Sequence, residues 1–181
     1  MSNYIQIGKG TIINGNNKFV ASKDSKIIIG KYCAIAKGCN IITLNHDYNY
    51  PAIQGTFYQT FFKNKHPGLL KNPPSKERTK GDVIIGNDVW IGEDVFITSG
   101  VTIGDGCCIG AKSVVTRDLL PYTICVGIPC KSIKNRYKKE VIDFLLKLKW
   151  WDWNDKKIFK NKKFFYSNLN EIKNINNIVI Y

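Results

Sequence analysis

A hydrophobic residue recurs at every sixth position through the middle of the chain, and this period is the strongest pattern in the sequence. Its aliphatic members are Ile85, Ile91, Ile97, Ile103, Ile109 and Val115. A small or branched residue follows four positions after the first five of them, at Val89, Val95, Val101, Cys107 and Ser113. Neither a helical period of about 3.6 residues nor strand alternation produces this spacing. A hexapeptide period predicts a β-helix, in which each unit is one short strand and one corner.

This architecture explains each residue type. Three units close a triangular coil of about 18 residues, and the aliphatic side chains point inward and stack from coil to coil. Each buried aliphatic side chain stabilises the fold by about 1.5–3 kcal/mol. We expect the small residue to fit the corner. Glycine follows the aliphatic residue at positions 86, 92, 104 and 110. We expect it where the backbone turns, because glycine tolerates conformations that are costly for other residues.

An earlier and weaker block obeys the same rule. Its aliphatic positions are Ile29, Ile35 and Ile41, with Cys33 and Cys39 at the corner position. Another set, out of phase with that block, comprises Ile7, Ile13 and Phe19. The pattern therefore predicts two early coils, a break over residues 45–81 and two regular coils. The break is polar and rich in Pro, Lys and Asn, and loops of this length inside a compact domain are usually functional or disordered.

His46 lies where the break begins, in the segment 41-IITLNHDYNYP-51. A histidine in a polar loop is by itself most often solvated. A loop that leaves a rigid scaffold, however, is a place where catalytic residues collect. An imidazole with a pKa near its ordinary value of about 6.5 suits a general base. The second histidine, His66, is the alternative candidate.

The C-terminal part has a helical pattern. Val141, Phe144, Leu145 and Leu148 share one face of a helix predicted over residues 137–151. We expect this helix to lie across the end or the side of the β-helix, with Trp150, Trp151 and Trp153 in packing positions. A basic segment from Lys156 to Phe165 is a second candidate helix. The predicted division is a β-helix domain over residues 1–134 and a helical extension over 135–181.

The six cysteines indicate neither a metal site nor disulfides. Cys33, Cys39 and Cys107 fall on the corner position, where Val and Ser also occur, and they are interpreted as small buried side chains. No two cysteines have Cys-x-x-Cys spacing, so no zinc or other metal site is expected. A nucleophilic cysteine stays open as an alternative.

The net charge of +13 is compatible with nucleic acid, an anionic cofactor or an anionic substrate. Lysine is spread along the chain and no nucleic-acid motif occurs, so nucleic-acid binding is not expected. No apolar run approaches the length of about 18 residues of a transmembrane helix. The N-terminal residues MSNYIQIGKG lack the features of a secretory signal. A cytoplasmic location is therefore expected.

Four segments carry a resemblance to a known family. They are 81-GDVIIGNDVWIG-92, 113-SVVTRDLLPYT-123, 127-GIPCKSIKNR-136 and 145-LLKLKWWDWNDKKI-158. The chain resembles the hexapeptide-repeat acyltransferases, and within them the xenobiotic acetyltransferases, which include type B chloramphenicol and streptogramin acetyltransferases. The resemblance implies an all-β left-handed parallel β-helix with a helical C-terminus. It also implies a homotrimer with active sites between subunits, and transfer of an acetyl group from acetyl-CoA to a hydroxyl or an amine.

The resemblance also implies a set of site residues. His46 occupies the place of the catalytic histidine. By match to the family pattern, the residues expected at acetyl-CoA are Trp90, Glu93, Ser99, Ala111, Thr116, Arg117, Lys131 and Lys134. Arg117, Lys131 and Lys134 are candidates for the phosphates, and Ala111 and Thr116 for the pantetheine and adenine end. Galactoside-type relatives carry Ser at the place of Glu93. Glu93 is therefore expected to contact the cofactor through its backbone. The alternatives are subunit packing for Trp90 and solvated surface for the three cations.

Three acceptors or roles stay open. One is a sugar hydroxyl or amine of a surface polysaccharide or its precursor, which would place the enzyme in polysaccharide biosynthesis. Another is an antibiotic, and a third is a catalytically dead β-helix that binds a partner. Tyr50 and Pro51 lack the following Phe that is associated with drug-acetylating members, and the segment 57-FYQTFF-62 does not match them. The sugar is therefore favoured, and intact His46 disfavours the dead β-helix.

Overall fold

The computed structural model describes residues 3–172 and 174–180. Twelve short strands form four stacked coils of three strands each. The strands of the first two coils are β1 (Ile5–Ile7), β2 (Ile12–Ile13), β3 (Lys18–Val20), β4 (Ile27–Ile29), β5 (Ala34–Ile35) and β6 (Asn40–Ile42). Those of the next two are β7 (Val83–Ile85), β8 (Trp90–Ile91), β9 (Phe96–Ile97), β10 (Thr102–Ile103), β11 (Cys108–Ile109) and β12 (Val114–Val115).

Equivalent strands of successive coils pair in parallel and build three sheets. The first sheet has the order β1-β4-β7-β10, the third has β12-β9-β6-β3, and the second contains β11-β8-β5-β2. The second sheet continues with β13 (Thr123–Val126) and the antiparallel β14 (Lys131–Asn135). The prediction of two coils, a long loop and two further coils is confirmed. The predicted domain boundary at residue 134 falls inside β14.

Ile7, Ile13 and Phe19 are out of phase with the next block in the sequence, but their strands pair in register with the strands of the second coil. Ile7 pairs with Ile29, 22 positions on, whereas Ile85 pairs with Ile103, 18 positions on. The additional residues lie between β3 and β4. They form a turn in which the Ser22 amide donates to the Ser25 carbonyl at 2.8 Å, and the Ser25 hydroxyl donates to Thr43 Oγ1 at 2.9 Å.

The repeat positions form the core. The six aliphatic residues from Ile85 to Val115 are at most 1% exposed, and the corner residues Val89, Val95, Val101, Cys107 and Ser113 are buried as completely. In the first coil Ile7, Ile13 and Phe19 are only partly buried. A terminal coil has a neighbour on one side alone, which agrees with the stacking requirement of repeat folds.

The expected reason for the repeat glycines is wrong. None of the glycines at positions 86, 92, 104 and 110 has a positive φ. The left-handed conformations fall two residues later, at corners that include Asp88, Asp94 and Lys112. At Gly92 a Cβ atom would lie 2.7 Å from the backbone nitrogen of Ala111 in the next coil. Glycine is required here because the stacked backbones approach closely, and not because of its φ.

The segment between the second and third coils contains two helices that the sequence reasoning missed. They are α1 (Gly55–Phe62) and α2 (Pro67–Leu70). No residue of α1 is buried in the isolated chain, and Phe61 and Phe62 on it are mostly exposed. The predicted loop over residues 45–81 is therefore a partly helical excursion that projects from the stack.

The C-terminal extension contains α3 (Lys139–Leu148), a 3₁₀ turn (Trp150–Asp152), α4 (Asp155–Lys160), α5 (Lys162–Phe165) and a final 3₁₀ turn (Ile175–Ile178). These bounds confirm both predicted helical segments; Lys173 and Tyr181 of the predicted extension lie outside the described residues. Within residues 3–172 and 174–180, no helix is long and apolar enough to span a bilayer.

The C-terminal extension runs along one corner of the β-helix. Of the two predicted placements, across the end or across the side, the second is therefore correct. Arg136 contacts Asp88 of the third coil, and Trp150 packs on Tyr32 of the second with ring centroids 5.2 Å apart. Asp155 then pairs with Lys9 of the first coil at 2.7 Å. A second apolar cluster fills the space beneath these contacts, and its buried members are Tyr122, Leu145, Phe164, Ile178 and Val179.

Candidate active site and cofactor surface

The start of the excursion is tied to the β-helix at Asn45. The Asn45 amide donates to the Arg78 carbonyl at 2.8 Å, and the Arg78 guanidinium donates to the Asn45 carbonyl at 2.6 Å. The Asn45 side chain donates to Ser99 Oγ at 3.1 Å. The outgoing and returning segments of the excursion are thus joined to each other and to Ser99, two residues after the end of β9. This arrangement fixes the position from which His46 emerges.

His46 is exposed, and its imidazole is oriented by a backbone carbonyl. Its Nδ1 lies 3.3 Å from the Ile53 carbonyl oxygen. A carbonyl oxygen only accepts hydrogen bonds, so this contact places the proton on Nδ1. The Nε2 atom then carries the free lone pair that a general base needs. The sequence did not reveal this partner, because the contact depends on how the excursion folds.

Asp47, the next residue, does not orient His46. It is buried and accepts the Ser75 hydroxyl at 2.6 Å and the Asn49 amide at 3.1 Å. The hydrogen bond from Ser75 lowers the pKa of the Asp47 carboxyl below its ordinary value. The carboxylate therefore serves the interior of the excursion, on the side away from solvent.

His66 has both ring nitrogens occupied. Its Nδ1 accepts the Gly68 amide at 3.0 Å, and its Nε2 lies 3.2 Å from the Ala52 carbonyl, to which it donates. The side chain is buried. A histidine in this state has no free lone pair, so the geometry favours His46 over His66 as the base.

The space beside His46 is an open depression with a polar lining. Asn45, Tyr48, Lys76, Glu77 and Lys80 surround it together with His46. Lysine, carboxylate and amide groups together can donate hydrogen bonds to a hydroxylated molecule and accept hydrogen bonds from it. The sequence reasoning missed Lys76, Glu77 and Lys80, since nothing in their spacing links them to residue 46.

Trp90 and Lys134 lie in one row of the second sheet. Lys134 pairs with Ile124, Ile124 with Cys108, and Cys108 with Trp90. Both ends of the row are exposed, Trp90 by 49%. Three strand steps of about 4.8 Å separate them, so this outer face offers a path of about 14 Å for an extended ligand.

Arg117 and Lys131 come together in a separate depression. Its lining also includes Leu120, Thr123 and Asn135. Lys134 is exposed on the same strand as Lys131 but is not among the residues that line this depression. The structure therefore unites two of the three cations that the resemblance assigns to phosphates, and it places Lys134 apart from them.

The remaining predicted cofactor residues occupy different environments. Ala111 and Thr116 are exposed, and Ala111 contacts Gly92. Glu93 is exposed at a corner, 3.8 Å from Lys37 Nζ. Ser99 is buried, and its hydroxyl accepts from the Asn45 side chain and, at 3.3 Å, from the Lys80 amide. In this structure Ser99 anchors both ends of the excursion, so its contact with a cofactor stays a prediction.

Four of the buried cysteines, Cys33, Cys39, Cys107 and Cys130, are poor nucleophiles. Burial raises the pKa values of the Cys33, Cys39 and Cys107 thiols, and it raises the pKa of Cys130 to about 11. Because the thiolate is the reactive form, raised values reduce reactivity at neutral pH. Over the described part of the chain, no three His, Cys, Asp or Glu side chains group as metal ligands would.

Comparisons with known proteins agree with this architecture. Residues 82–117 match the family model described as bacterial transferase hexapeptide (six repeats). A probable macrolide acetyltransferase of Lysinibacillus sphaericus is 43% identical over 138 residues, which cover 75% of this chain and 74% of that protein. A chloramphenicol acetyltransferase of Escherichia coli is 37% identical over 71% of this chain. The chain spans 60% of the length of that second relative.

Two solved structures are similar as well. A hexapeptide-repeat acetyltransferase of Vibrio cholerae, complexed with acetyl coenzyme A, has a TM-score of 0.55 at 28% identity, over 74% of this chain and 61% of that chain. A galactoside acetyltransferase in complex with coenzyme A has a TM-score of 0.53 at 32% identity, over 74% of this chain and 56% of that chain. These similarities imply that the coils wind to the left. The chain belongs to the hexapeptide-repeat acetyltransferases, whose donor is acetyl-CoA.

Proposed function

We propose that this chain transfers the acetyl group of acetyl-CoA to a hydroxyl group of a sugar, with His46 as the general base. The observation that carries this proposal is the contact between His46 Nδ1 and the Ile53 carbonyl. It leaves Nε2 unprotonated beside an open polar depression, at the point where the excursion leaves a rigid stack.

The chemistry needs a base because an alcohol is a weak nucleophile at neutral pH. His46 Nε2 accepts the hydroxyl proton as the acceptor oxygen attacks the thioester carbonyl. The tetrahedral intermediate then expels the CoA thiolate, and His46 returns the proton to the sulfur. Backbone amides are suitable donors to the oxyanion. This direct transfer needs no acyl-enzyme, which agrees with the burial and raised pKa values of Cys33, Cys39, Cys107 and Cys130. An amine acceptor would follow the same sequence.

Acetyl-CoA is proposed to lie along the outer face of the second sheet. The row from Trp90 to Lys134 would accommodate its extended arm, and Arg117 and Lys131 would approach its phosphates. Glu93, Ala111 and Thr116 are proposed to border this path. A homotrimer, in which a neighbouring subunit closes the site, is part of the proposal. The half-exposed Trp90 and the exposed Ile12 on the same sheet support such an interface.

The sugar acceptor is supported by the polar lining around His46. Such an acceptor would place this enzyme in polysaccharide biosynthesis, and a cytoplasmic location is part of the proposal. An antibiotic hydroxyl is the second candidate, because the relatives named for macrolide and chloramphenicol acetylation are the more similar in sequence.

A thiol-release assay with acetyl-CoA against sugars, nucleotide sugars, macrolides, chloramphenicol and streptogramins separates the two candidate acceptors. Multi-turnover on an antibiotic at rates far above those on every sugar would reverse the order. Absence of acetyl-CoA binding would favour a non-catalytic β-helix.

The role of His46 is tested by His46→Ala. We expect kcat to fall by about 10²–10⁴-fold, the range typical of a general base. Binding of acetyl-CoA, measured by calorimetry, should change little, because the proposed cofactor surface lies outside the excursion. Lys65→Ala, an exposed change in the same excursion, is the control and should retain activity. Near-normal turnover of His46→Ala would refute the assignment.

A further inference from the structure

We propose that His66 is a positioning residue, which holds the Ile53 carbonyl where it accepts the proton of His46. This inference rests on the proposed role of His46 as the base. The Ile53 carbonyl determines which nitrogen of His46 is free, and His66 binds the carbonyl immediately before it, that of Ala52, at 3.2 Å. The second histidine of the chain therefore acts through the first.

His66 is itself held on several sides. The Gly68 amide donates to its Nδ1, so it caps α2 at that helix's N-terminus. Its ring makes edge contacts with Tyr50 and Tyr58, with centroids 5.1 and 4.9 Å away. Tyr58 lies on α1, so the buried imidazole joins α1, α2 and the segment that carries Ala52. Two nitrogens with two partners restrict the ring to one tautomer and one orientation.

The backbone beside His46 is held by groups that pack against the same region as His66. Asp47, which follows His46 directly, accepts the Ser75 hydroxyl at 2.6 Å and the Asn49 amide at 3.1 Å. Gly68 packs against Asp47 so closely that an added Cβ would lie 2.7 Å from Asp47 Oδ2. Asp47, His66 and Gly68 thus form one buried cluster, which we term the loop cluster.

The loop cluster compensates for the exposure of the catalytic contact. His46 is exposed, and Ile53 is exposed by 52%. A solvent-facing hydrogen bond of 3.3 Å restrains an imidazole weakly by itself. Because the loop cluster restrains the residues next to both partners, the contact is kept in place by buried groups. A misplacement of about 1 Å near the reacting atoms can reduce the rate by about 10²-fold.

Two substitutions at position 66 separate the contacts of this residue. His66→Asn places an oxygen near the site of Nδ1, so it preserves the cap on Gly68 but cannot reach the Ala52 carbonyl. His66→Gln has the length to donate to that carbonyl and lacks the acceptor of the cap. We expect His66→Asn to lower kcat by about 10–100-fold with an unchanged KM for acetyl-CoA. His66→Gln should retain more of the parental kcat, and Lys65→Ala all of it.

The pH dependence of kcat/KM distinguishes positioning from catalysis. If His66 positions the base, the residual activity of both variants keeps the acidic limb of the parent, because the proposed base, His46, is still present. Loss of that limb in both variants would make His66 the base and overturn the inference. Parental kcat in His66→Asn, or equal losses in the two variants, would overturn it as well. If His46→Ala itself is active, the proposed function fails; if it is inactive and His66→Asn is normal, only this inference fails.

Discussion

Gly92→Ala is the sharpest test of how the coils stack. The new Cβ would lie 2.7 Å from the nitrogen, and 3.0 Å from the Cα, of Ala111, and 3.1 Å from the Ile109 carbonyl oxygen. All three atoms belong to backbone, whereas non-bonded carbon atoms prefer a separation of about 3.5–4.0 Å. Neither side can rotate away, so the third and fourth coils must separate locally.

The expected loss follows from two opposing terms. Overpacking of this kind costs about 1–3 kcal/mol. The φ of Gly92 is not in the left-handed region, so alanine adds no backbone strain, and its lower entropy in the unfolded chain offsets about 0.4–1 kcal/mol. The two ranges leave a net loss of at most about 2.6 kcal/mol, with a central value of about 1.3 kcal/mol. For a chain of this size the central value corresponds to a decrease in Tm of about 3–5 °C.

The control is Gly55→Ala at the first residue of α1, where an added Cβ meets nothing within 4 Å. Alanine is the better helix former there, so Tm should stay or rise slightly. Both variants and the parent are compared by thermal unfolding at one protein concentration, because oligomers unfold in a concentration-dependent way. A Gly92→Ala variant as stable as the parent would show that the stacked backbones do not require glycine.

Two further predictions concern the cofactor surface and the thiols. Arg117→Ala combined with Lys131→Ala should raise KM for acetyl-CoA and leave kcat at saturation nearly unchanged, with an effect that shrinks as salt rises. An equal effect on an acetyl donor without the nucleotide would assign these two cations elsewhere. Cys33, Cys39 and Cys107 should resist alkylation in the folded protein at pH 8, as mass spectrometry would show. Because their pKa values are raised above the ordinary 9.0, ionisation of the unfolded thiols should reduce stability as pH rises above that value; stability constant to pH 11 would contradict this.

The coils were predictable because the same contact repeats at a constant sequence spacing. Ile85, Ile91 and Ile97 occupy equivalent positions on three sheets, so six-residue periodicity alone identifies the core. The early out-of-phase set still joined the stack, because a turn at Ser22–Ser25 absorbs the additional residues. The helical face around Leu145 was likewise visible in sequence, since a local period specifies which residues are buried.

The reason for the repeat glycines was not predictable in the same way. Both a positive φ and a close approach of two backbones select glycine, and a sequence does not distinguish them. The structure shows that side-chain-bearing residues such as Asp88 and Lys112 adopt the left-handed corners, whereas Gly92 faces the next coil. The path of the C-terminal extension was also undetermined, because Lys9 and Asp155 pair across 146 residues with no periodic signal.

The position of His46 was visible in the sequence pattern, whereas the contacts that support it were not. His46 was predicted as the base because it lies where the six-residue pattern stops. Its supporting contacts join positions of unrelated spacing, such as Asn45 with Ser99 and Asp47 with Ser75. Asn45 and Ser99 tie the segment of the proposed base to the stack, whereas Tyr48, Lys76 and Glu77 belong to the excursion alone. Substitutions in the excursion can therefore alter what is bound beside His46 without moving the point from which it emerges. If His46 is the base, as proposed, a rigid stack with a separately folded excursion would allow one acetyl transfer chemistry to serve different acceptors.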